Sequence, residues 1–308
     1  MLRYKRIRNV TQVSADLNLQ QYIRDTAAEF DSAELCFAHG TDNALDESVY
    51  LVYGSLGIDY GLPIEEADRE LKADEILLLD ERVRRRVRDR EPVAYILGEA
   101  WFCGLPFYSD RRALVPRSPL AELISNEFGG LLQSEPGRIL DLCTGSGCIG
   151  IACAVHFPGA RVDLLDIDEG CLQLASSNID RHGLSDRVQV LQSDLFAEVI
   201  GRFHLIVANP PYVSAAEVAG LPGEFRHEPG LGLLSEEDGL QIPVRILQQA
   251  ADYLEEGGLL VMEVGYSAGR LSERLSGVPL MWLEFEQGGE GVMAITRAQL
   301  QNYREQLN

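Results

Sequence analysis

The chain is poor in positive charge. It carries 27 Lys and Arg against 48 Asp and Glu, a net charge of −21, and only Lys5 and Lys72 are lysine. The lysine shortage has no physical account in the sequence. The charge balance does have consequences. A duplex-DNA binder needs Lys and Arg to displace condensed counterions. Residues 1–95 hold 13 basic and 19 acidic side chains, and residues 96–308 hold 14 and 29, so the two parts carry −6 and −15. Stable DNA binding is therefore not expected. A basic partner is favoured, because complementary fields speed encounter; an acidic surface that serves only solubility is the plain alternative. Long apolar runs are also missing. No stretch of 18 exists, so no membrane-spanning helix is expected. Met1 to Arg8 is basic but no apolar signal core follows, which reads as a cytoplasmic protein. The six cysteines (Cys36, Cys103, Cys143, Cys148, Cys153 and Cys171) form no C-x-x-C pair, and the five histidines form no H-E-x-x-H. No metal site is suggested, and the cysteines read as small buried thiols.

What is present is ordinary for a globular protein: 308 residues, 46% hydrophobic and 24% charged, enough for one large or two modest domains. Residues 1–95 read as helical. Leu17, Leu19, Tyr22, Ile23, Ala27 and Phe30 recur at helical spacing before a stop at His39-Gly40. Asp42 or Asn43 can cap a second helix carrying Leu45, Val49, Val52, Tyr53 and Leu56. Glu65 to Arg90 reads as a third, charged helix; its arginine run suits a helix C-terminus and a solvated face. Pro92 breaks the pattern. Trp101 to Val115 alternates around Gly104-Leu105-Pro106 and reads as a β-hairpin linking two domains over residues 96–118. Ser118 as N-cap and Pro119 at the first helical position open a helix through Phe128, with Arg117 just before it, free to reach a ligand or a carboxylate.

From Arg138 strands alternate with helices: strands at 138–142, 162–166, 188–194, 205–209 and 258–264, helices at 148–156, 169–182 and 239–254, and a closing antiparallel pair at 282–286 and 292–296. That alternation predicts an α/β, doubly wound sheet over residues 119–308.

Two turns carry the chemistry. Asp141-Leu142-Cys143-Thr144-Gly145-Ser146-Gly147 ends the first strand, and glycine there lets the backbone approach a ligand. With Gly150 the letters fit the dinucleotide fingerprint G-x-G-x-x-G. Asp141, however, would face a pyrophosphate with a like charge. Asp166 ends the second strand, where a carboxylate accepts ribose hydroxyls, and Asp194 ends the third, where it or its neighbour can meet an adenine amine. One acid for an ammonium, one for a ribose and one for a base fits S-adenosylmethionine better than a nicotinamide cofactor. Taken singly, each Asp reads as a strand-end cap. The second turn is Asn209-Pro210-Pro211-Tyr212. Two prolines cannot continue a ladder, so the apolar strand before them stops at Asn209, at the edge where open α/β sheets bind ligands. Its bland reading is a Pro-Pro turn in which Asn caps its own backbone.

Residues Asp141 to Gly147, Asp166, Asp194 and Asn209 to Tyr212 together resemble the class I S-adenosylmethionine-dependent methyltransferases of the N-P-P-Y group, which methylate conjugated amines: adenine or cytosine amines and glutamine amides. The resemblance implies a Rossmann-like sheet of order 3-2-1-4-5-7-6 with the seventh strand antiparallel. It implies a cofactor site at Asp141, Cys143, Thr144, Gly145, Ser146, Gly147, Asp166, Asp194, Leu195 and Asn209. It places the substrate at Arg117, Asn209, Pro210, Pro211 and Tyr212, with Asn209, Pro210 and Tyr212 catalytic. His39 to Glu47, Pro92 to Gly98, Val115 to Pro119 and Leu142 to Cys148 further resemble the PrmB branch of the glutamine N(5)-methyltransferases. That branch implies an N-terminal substrate-recognition domain and, as substrate and partner, the basic third protein of the large (50S) ribosomal subunit. The sister branch acting on peptide release factors typically has Arg-Pro and an acid where this chain has Arg117-Ser118-Pro119, and usually Gly at Cys143. Phe225-Arg226-His227-Glu228-Pro229 is a loop that either helps close over a substrate or is plain surface.

An amide nitrogen is a poor nucleophile because its lone pair is delocalised; the ~18–20 kcal/mol rotation barrier measures how strongly. Acceptors on both N–H bonds can aim the remaining lobe at a methyl group. The Asn209 side-chain oxygen and the Pro210 carbonyl are such acceptors, and Tyr212 can pack on the amide plane. An adenine N(6)-methyltransferase shares the tetrapeptide but needs base flipping and a basic path. A ribosome-assembly factor that kept the fold only for binding is the non-enzymatic alternative, and an intact Asn209 opposes it.

Overall fold

The apolar runs after residue 138 assemble into one seven-stranded sheet. The computed structural model describes residues 17–286 and 288–307; the basic stretch from Met1 to Arg8 lies outside the described residues. The chain divides into two compact units, Met1–Leu97 and Gly98–Asn308.

In the first unit, α1 (Leu19–Ser32) starts where Asn18 accepts from Gln20 N, and α2 (Ala44–Leu56) where Asn43 accepts from Asp46 N. Each cap satisfies one of the free N–H groups of its first turn. Leu19, Tyr22, Ile23 and Phe30 pack with Leu51, Val52 and Tyr53 in an apolar core. Helix α3 spans Ala73–Asp89, not 65–90. The shortening has a local cause: Leu19 N donates to Arg69 O and Leu71 N to Leu17 O, both at 2.9 Å, which holds residues 69–71 extended. The arginine run is not wholly a solvated face either. Arg86 is buried, with Nε 2.8 Å from the buried Glu47 and Nη2 2.9 Å from Cys36 O. A short helix, α4 (Val93–Leu97), follows Pro92.

The second unit opens with a hairpin, β1 (Glu99–Phe102) and β2 (Leu105–Tyr108). Its two-residue turn is Cys103-Gly104, at φ +50° and +71°, the positive pair a tight hairpin requires. Pro106 lies inside β2 opposite Trp101 rather than in the turn. Helix α5 (Leu120–Ser125) starts one residue later than expected, with Ser118 Oγ accepting from Leu120 N at 3.1 Å. It stops three residues before Phe128, because Glu127 to Gly130 all take positive φ.

The sheet is built from β3 (Arg138–Leu142), β4 (Arg161–Asp166), β5 (Val188–Gln192), β6 (Phe203–Ala208), β7 (Leu254–Glu263), β8 (Met281–Trp282) and β9 (Val292–Thr296), in the order β5-β4-β3-β6-β7-β9-β8. Counted from β3, that is the 3-2-1-4-5-7-6 order implied by the resemblance. Only β9 runs antiparallel to β7 and β8. The fold class is thus the Rossmann-like doubly wound sheet. Helices α6 (Cys148–His156), α7 (Glu169–Arg181), α8 (Ala215–Gly220), α9 (Glu236–Gly239), α10 (Gln241–Tyr253), α11 (Ala268–Arg274), α12 (Arg297–Asn302) and α13 (Arg304–Leu307) complete the unit. Leu205 to Ala208 and Leu260 to Met262 are buried throughout, as expected of central strands covered on both faces. The third strand ends at Gln192 and not at 194; the bond from Ser193 N to Asp166 O at 3.0 Å is the last rung of its ladder with β4. Asn178 of α7 joins three parts: it accepts from Tyr108 N at 2.7 Å and donates to Tyr108 O and to Ser146 O. The hairpin is thereby fixed to the glycine turn.

Candidate active site

Strands β3, β4 and β6 are parallel neighbours, so Leu142, Asp166 and Ala208 end on one edge of the sheet. Strand order reverses between β3 and β6, the position where an open sheet leaves a crevice. A cavity of about 310 Å³ lies there, of a size to hold a small ligand. Arg117, Cys143, Thr144, Gly145, Ser146, Asp166, Asp194, Leu195, Asn209, Pro211 and Tyr212 line it; Asp141, Gly147 and Pro210 do not.

Asp141, expected at a ligand ammonium, holds the turn together here. Its Oδ2 accepts from Thr144 Oγ1 at 2.5 Å and from Gly150 N at 2.9 Å. Its Oδ1 is buried with no partner among the described residues. Burial pushes its carboxyl up to about 7, against the pull of those two hydrogen bonds. Gly150 is required for packing: a Cβ there would lie 2.1 Å from Leu164 Cδ2. The third glycine of the fingerprint thus serves close contact between helix and strand. Cys143 takes φ +57° within the same turn.

Asp166 clamps the turn from outside. Oδ2 accepts from Gly145 N at 2.9 Å and Oδ1 from Asp168 N at 3.0 Å. Burial raises its pKa and these backbone bonds oppose the rise. Asp194 is not bare: Arg245 Nη2 lies 3.1 and 3.0 Å from its two oxygens, and both residues line the cavity. Asp141 and Asp166 face no cation in any hydrogen bond among the described residues. Four acids, Asp166, Asp168, Asp194 and Glu263, and three arginines, Arg112, Arg117 and Arg245, line the cavity.

Asn209 follows β6, half-buried at the cavity, and its side chain makes no hydrogen bond among the described residues. It therefore does not cap its own backbone. Pro210 beside it is buried. Tyr212 OH donates to Glu263 Oε1 at 3.1 Å, and Tyr212 O accepts from Ser267 Oγ at 2.6 Å. Burial, then the Glu263 charge, holds its phenol far above the usual range. Arg117 is not free. It grips the Glu228 carboxylate with both nitrogens, Nη2 to Oε2 at 2.7 Å, and stands over the Phe225 ring. Of its two expected partners, the carboxylate holds it. Glu228 lay in the loop 225–229 that the sequence offered for closure over a substrate, but its pairing with Arg117 was not legible, and neither Arg245 nor Glu263 was legible as a site residue. Glu263 left one signal, a lone acid in the apolar run Leu259 to Val264.

A family model described as methyltransferase small domain matches residues 124–221. The chain is 40% identical, over 93% of its length and 92% of the relative's, to the ribosomal protein uL3 glutamine methyltransferase of Francisella tularensis subsp. tularensis. It is 46% identical to that of Xylella fastidiosa, over 92% of each. The chain belongs to the ribosomal protein uL3 glutamine methyltransferase family. The resemblance carried by residues 39–47, 92–98, 115–119 and 142–148 is thereby borne out. A crystal structure of a methyltransferase from Pyrococcus furiosus is 21% identical, with a TM-score of 0.47 over 63% of this chain and 89% of that one, too weak a likeness to bear on function. Family membership makes the protein a methyltransferase. Among the described residues no helix is long and apolar enough to cross a membrane, and no group of side chains could hold a metal ion.

Proposed function

We propose that this enzyme transfers a methyl group from S-adenosylmethionine to the side-chain amide nitrogen of a glutamine in ribosomal protein uL3, a basic large-subunit partner met in the cytoplasm. The observation that carries the reading is Asn209: a conjugated-amine motif at the cavity whose side chain has no hydrogen-bond partner among the described residues, in a chain whose relatives are named for this activity. S-adenosylmethionine, when bound, supplies a methyl group already activated by a sulfonium.

The protein's share of the work is binding and orientation. Cys143, Thr144, Gly145 and Ser146 form the loop under the ligand, Gly147 opens α6, and Asp166 offers its remaining lone pairs to ribose hydroxyls. Asp194 and Leu195 border the base. Asp141 braces the turn from below through Thr144 and Gly150. On the substrate side, Asn209 Oδ1 accepts one N–H of the glutamine amide and the Pro210 carbonyl the other, so the nitrogen lobe points at the methyl group. Tyr212 packs on the amide plane beside Pro211. Positive charge developing on nitrogen is stabilised in this acidic, desolvated pocket, and its proton leaves after transfer. Arg117 contributes through the loop it holds at Glu228. The helical unit, outside the methyltransferase match, serves substrate recognition.

The test uses labelled S-adenosylmethionine and uL3 from cells lacking this enzyme. One methyl group on one uL3 glutamine is expected, and Asn209→Ala should lower kcat on the order of 10²–10³-fold. Label in DNA or release factor but not in uL3 overturns the substrate; unchanged kcat in Asn209→Ala overturns the mechanism.

A further inference from the structure

Glu263 is a carboxylate at the end of an apolar strand, and the chemistry above does not use it. It lines the cavity. Its Oε1 accepts from Tyr212 OH at 3.1 Å and its Oε2 from Ser118 Oγ at 2.5 Å. Two hydroxyls donating to separate oxygens suit an ionised carboxylate, which only accepts. Ser118 is itself fixed by Leu120 N, so Glu263 ties the start of α5 to the Asn-Pro-Pro-Tyr turn. The Tyr212 ring is fenced on another side, where a Cβ on Gly265 would come within 2.8 Å of it. Burial opposes charge on Glu263, and the two hydroxyls and the Arg117 charge only partly offset this. A well-packed apolar residue there would commonly be no less stable. A costly buried acid at a cavity wall therefore calls for a role beyond stability.

We propose that Glu263 is a positioning residue for methyl transfer: by accepting from Tyr212 and Ser118 at once it fixes the Tyr212 ring, and with it the adjoining acceptors of Asn209 and Pro210, before the amide arrives. The proposal rests on reading this cavity as the methyl-transfer site. The test compares full-length wild type with Glu263→Gln, Tyr212→Phe and the double variant. Glu263→Gln keeps the shape and is expected to lower kcat on the order of 10–100-fold, with cofactor KM within about twofold and Tm not reduced. The double variant should be no slower than the slower single one, because both act through one hydrogen bond. Wild-type kcat in Glu263→Gln, or two single effects that multiply, overturns the proposal. A second readout needs no substrate. The Tyr212 signal in fluorotyrosine NMR, assigned with Tyr212→Phe, should shift and broaden in Glu263→Gln. An unchanged signal overturns the positioning role whatever the substrate proves to be, whereas a wild type that leaves uL3 unmodified overturns the substrate reading alone.

Discussion

Cys143 holds a backbone conformation that glycine adopts freely and other residues resist. At φ +57° an L side chain crowds its own carbonyl, at a cost on the order of 1–2 kcal/mol. Cys143→Gly removes that crowding, but it also loses packing of a half-buried side chain and gives the unfolded chain more freedom. The balance is expected to be a gain of at most about 1 kcal/mol, read as a higher urea midpoint with an unchanged m-value. The thiol is held well above its ordinary pKa by desolvation and by Asp166, Asp141 and Asp194, so slow reaction with thiol reagents at neutral pH goes with it. Asp141 gives a pH signature. Its carboxyl rises from 3.8 to about 7 on folding, so the folded state binds that proton more tightly than the unfolded state. Its stabilising contribution is full below 3.8 and is lost as pH rises through about 7. Asp141→Asn imitates the neutral form and keeps an acceptor for Thr144 and Gly150. Thermal unfolding from pH 4 to 8 should show wild type falling behind this variant across that interval; parallel profiles would refute the assignment. Part of this was legible in sequence and part was not. Asn209 announced itself because two prolines must end a strand. The inward turn of Asp141 did not, since strand-end position says nothing about which way a carboxylate faces.

The Arg117–Glu228 pair works at the scale of elements. It joins the segment before α5 to a loop 111 residues further on, and Glu228 also accepts from Val115 N at 3.0 Å. The Glu228 side chain is fully buried while Arg117 keeps a quarter of its surface exposed. Removing the anion strands a half-buried guanidinium, and breaking such pairs costs several kcal/mol when fully buried, so about 2–3 kcal/mol is expected for Glu228→Gln. The loss should be local. Limited proteolysis is expected to open the chain between Val213 and Ser235, which pair by Val213 N to Leu233 O and Ser235 N to Val213 O, before it cuts the sheet. Cleavage at the wild-type rate would mean the pair is ornamental. No local pattern in the sequence could name this partner, because side chains so far apart in the chain meet only through the fold. Elements fixed by short-range rules were legible: β3, α6 and β9 have the bounds that periodicity predicts. Elements cut short by long-range backbone pairing, as α3 is by Leu17 and Leu19, were not.

At the scale of the whole molecule, the sheet order and the net charge act on different steps. The order β5-β4-β3-β6-β7-β9-β8 decides where the cavity lies and is indifferent to salt. The charge of −21 would set how fast the basic partner proposed here reaches that cavity. Fields between exposed charges decay over about 10 Å at 0.1 M salt and about 3 Å at 1 M, and steered association slows steeply as they do. The methyl donor proposed here is small and is held inside the cavity, where screening is weaker. Raising salt from 0.05 to 0.5 M should therefore raise KM for uL3 roughly 10-fold or more, leave kcat at saturation nearly unchanged, and move cofactor KM far less. The −15 carried by residues 96–308 against −6 on residues 1–95 further predicts that neutralising exposed acids of the second unit weakens uL3 capture more than the same number of changes in the first. A KM for uL3 that does not respond to salt would reduce the acidic surface to a solubility device and leave recognition to shape alone.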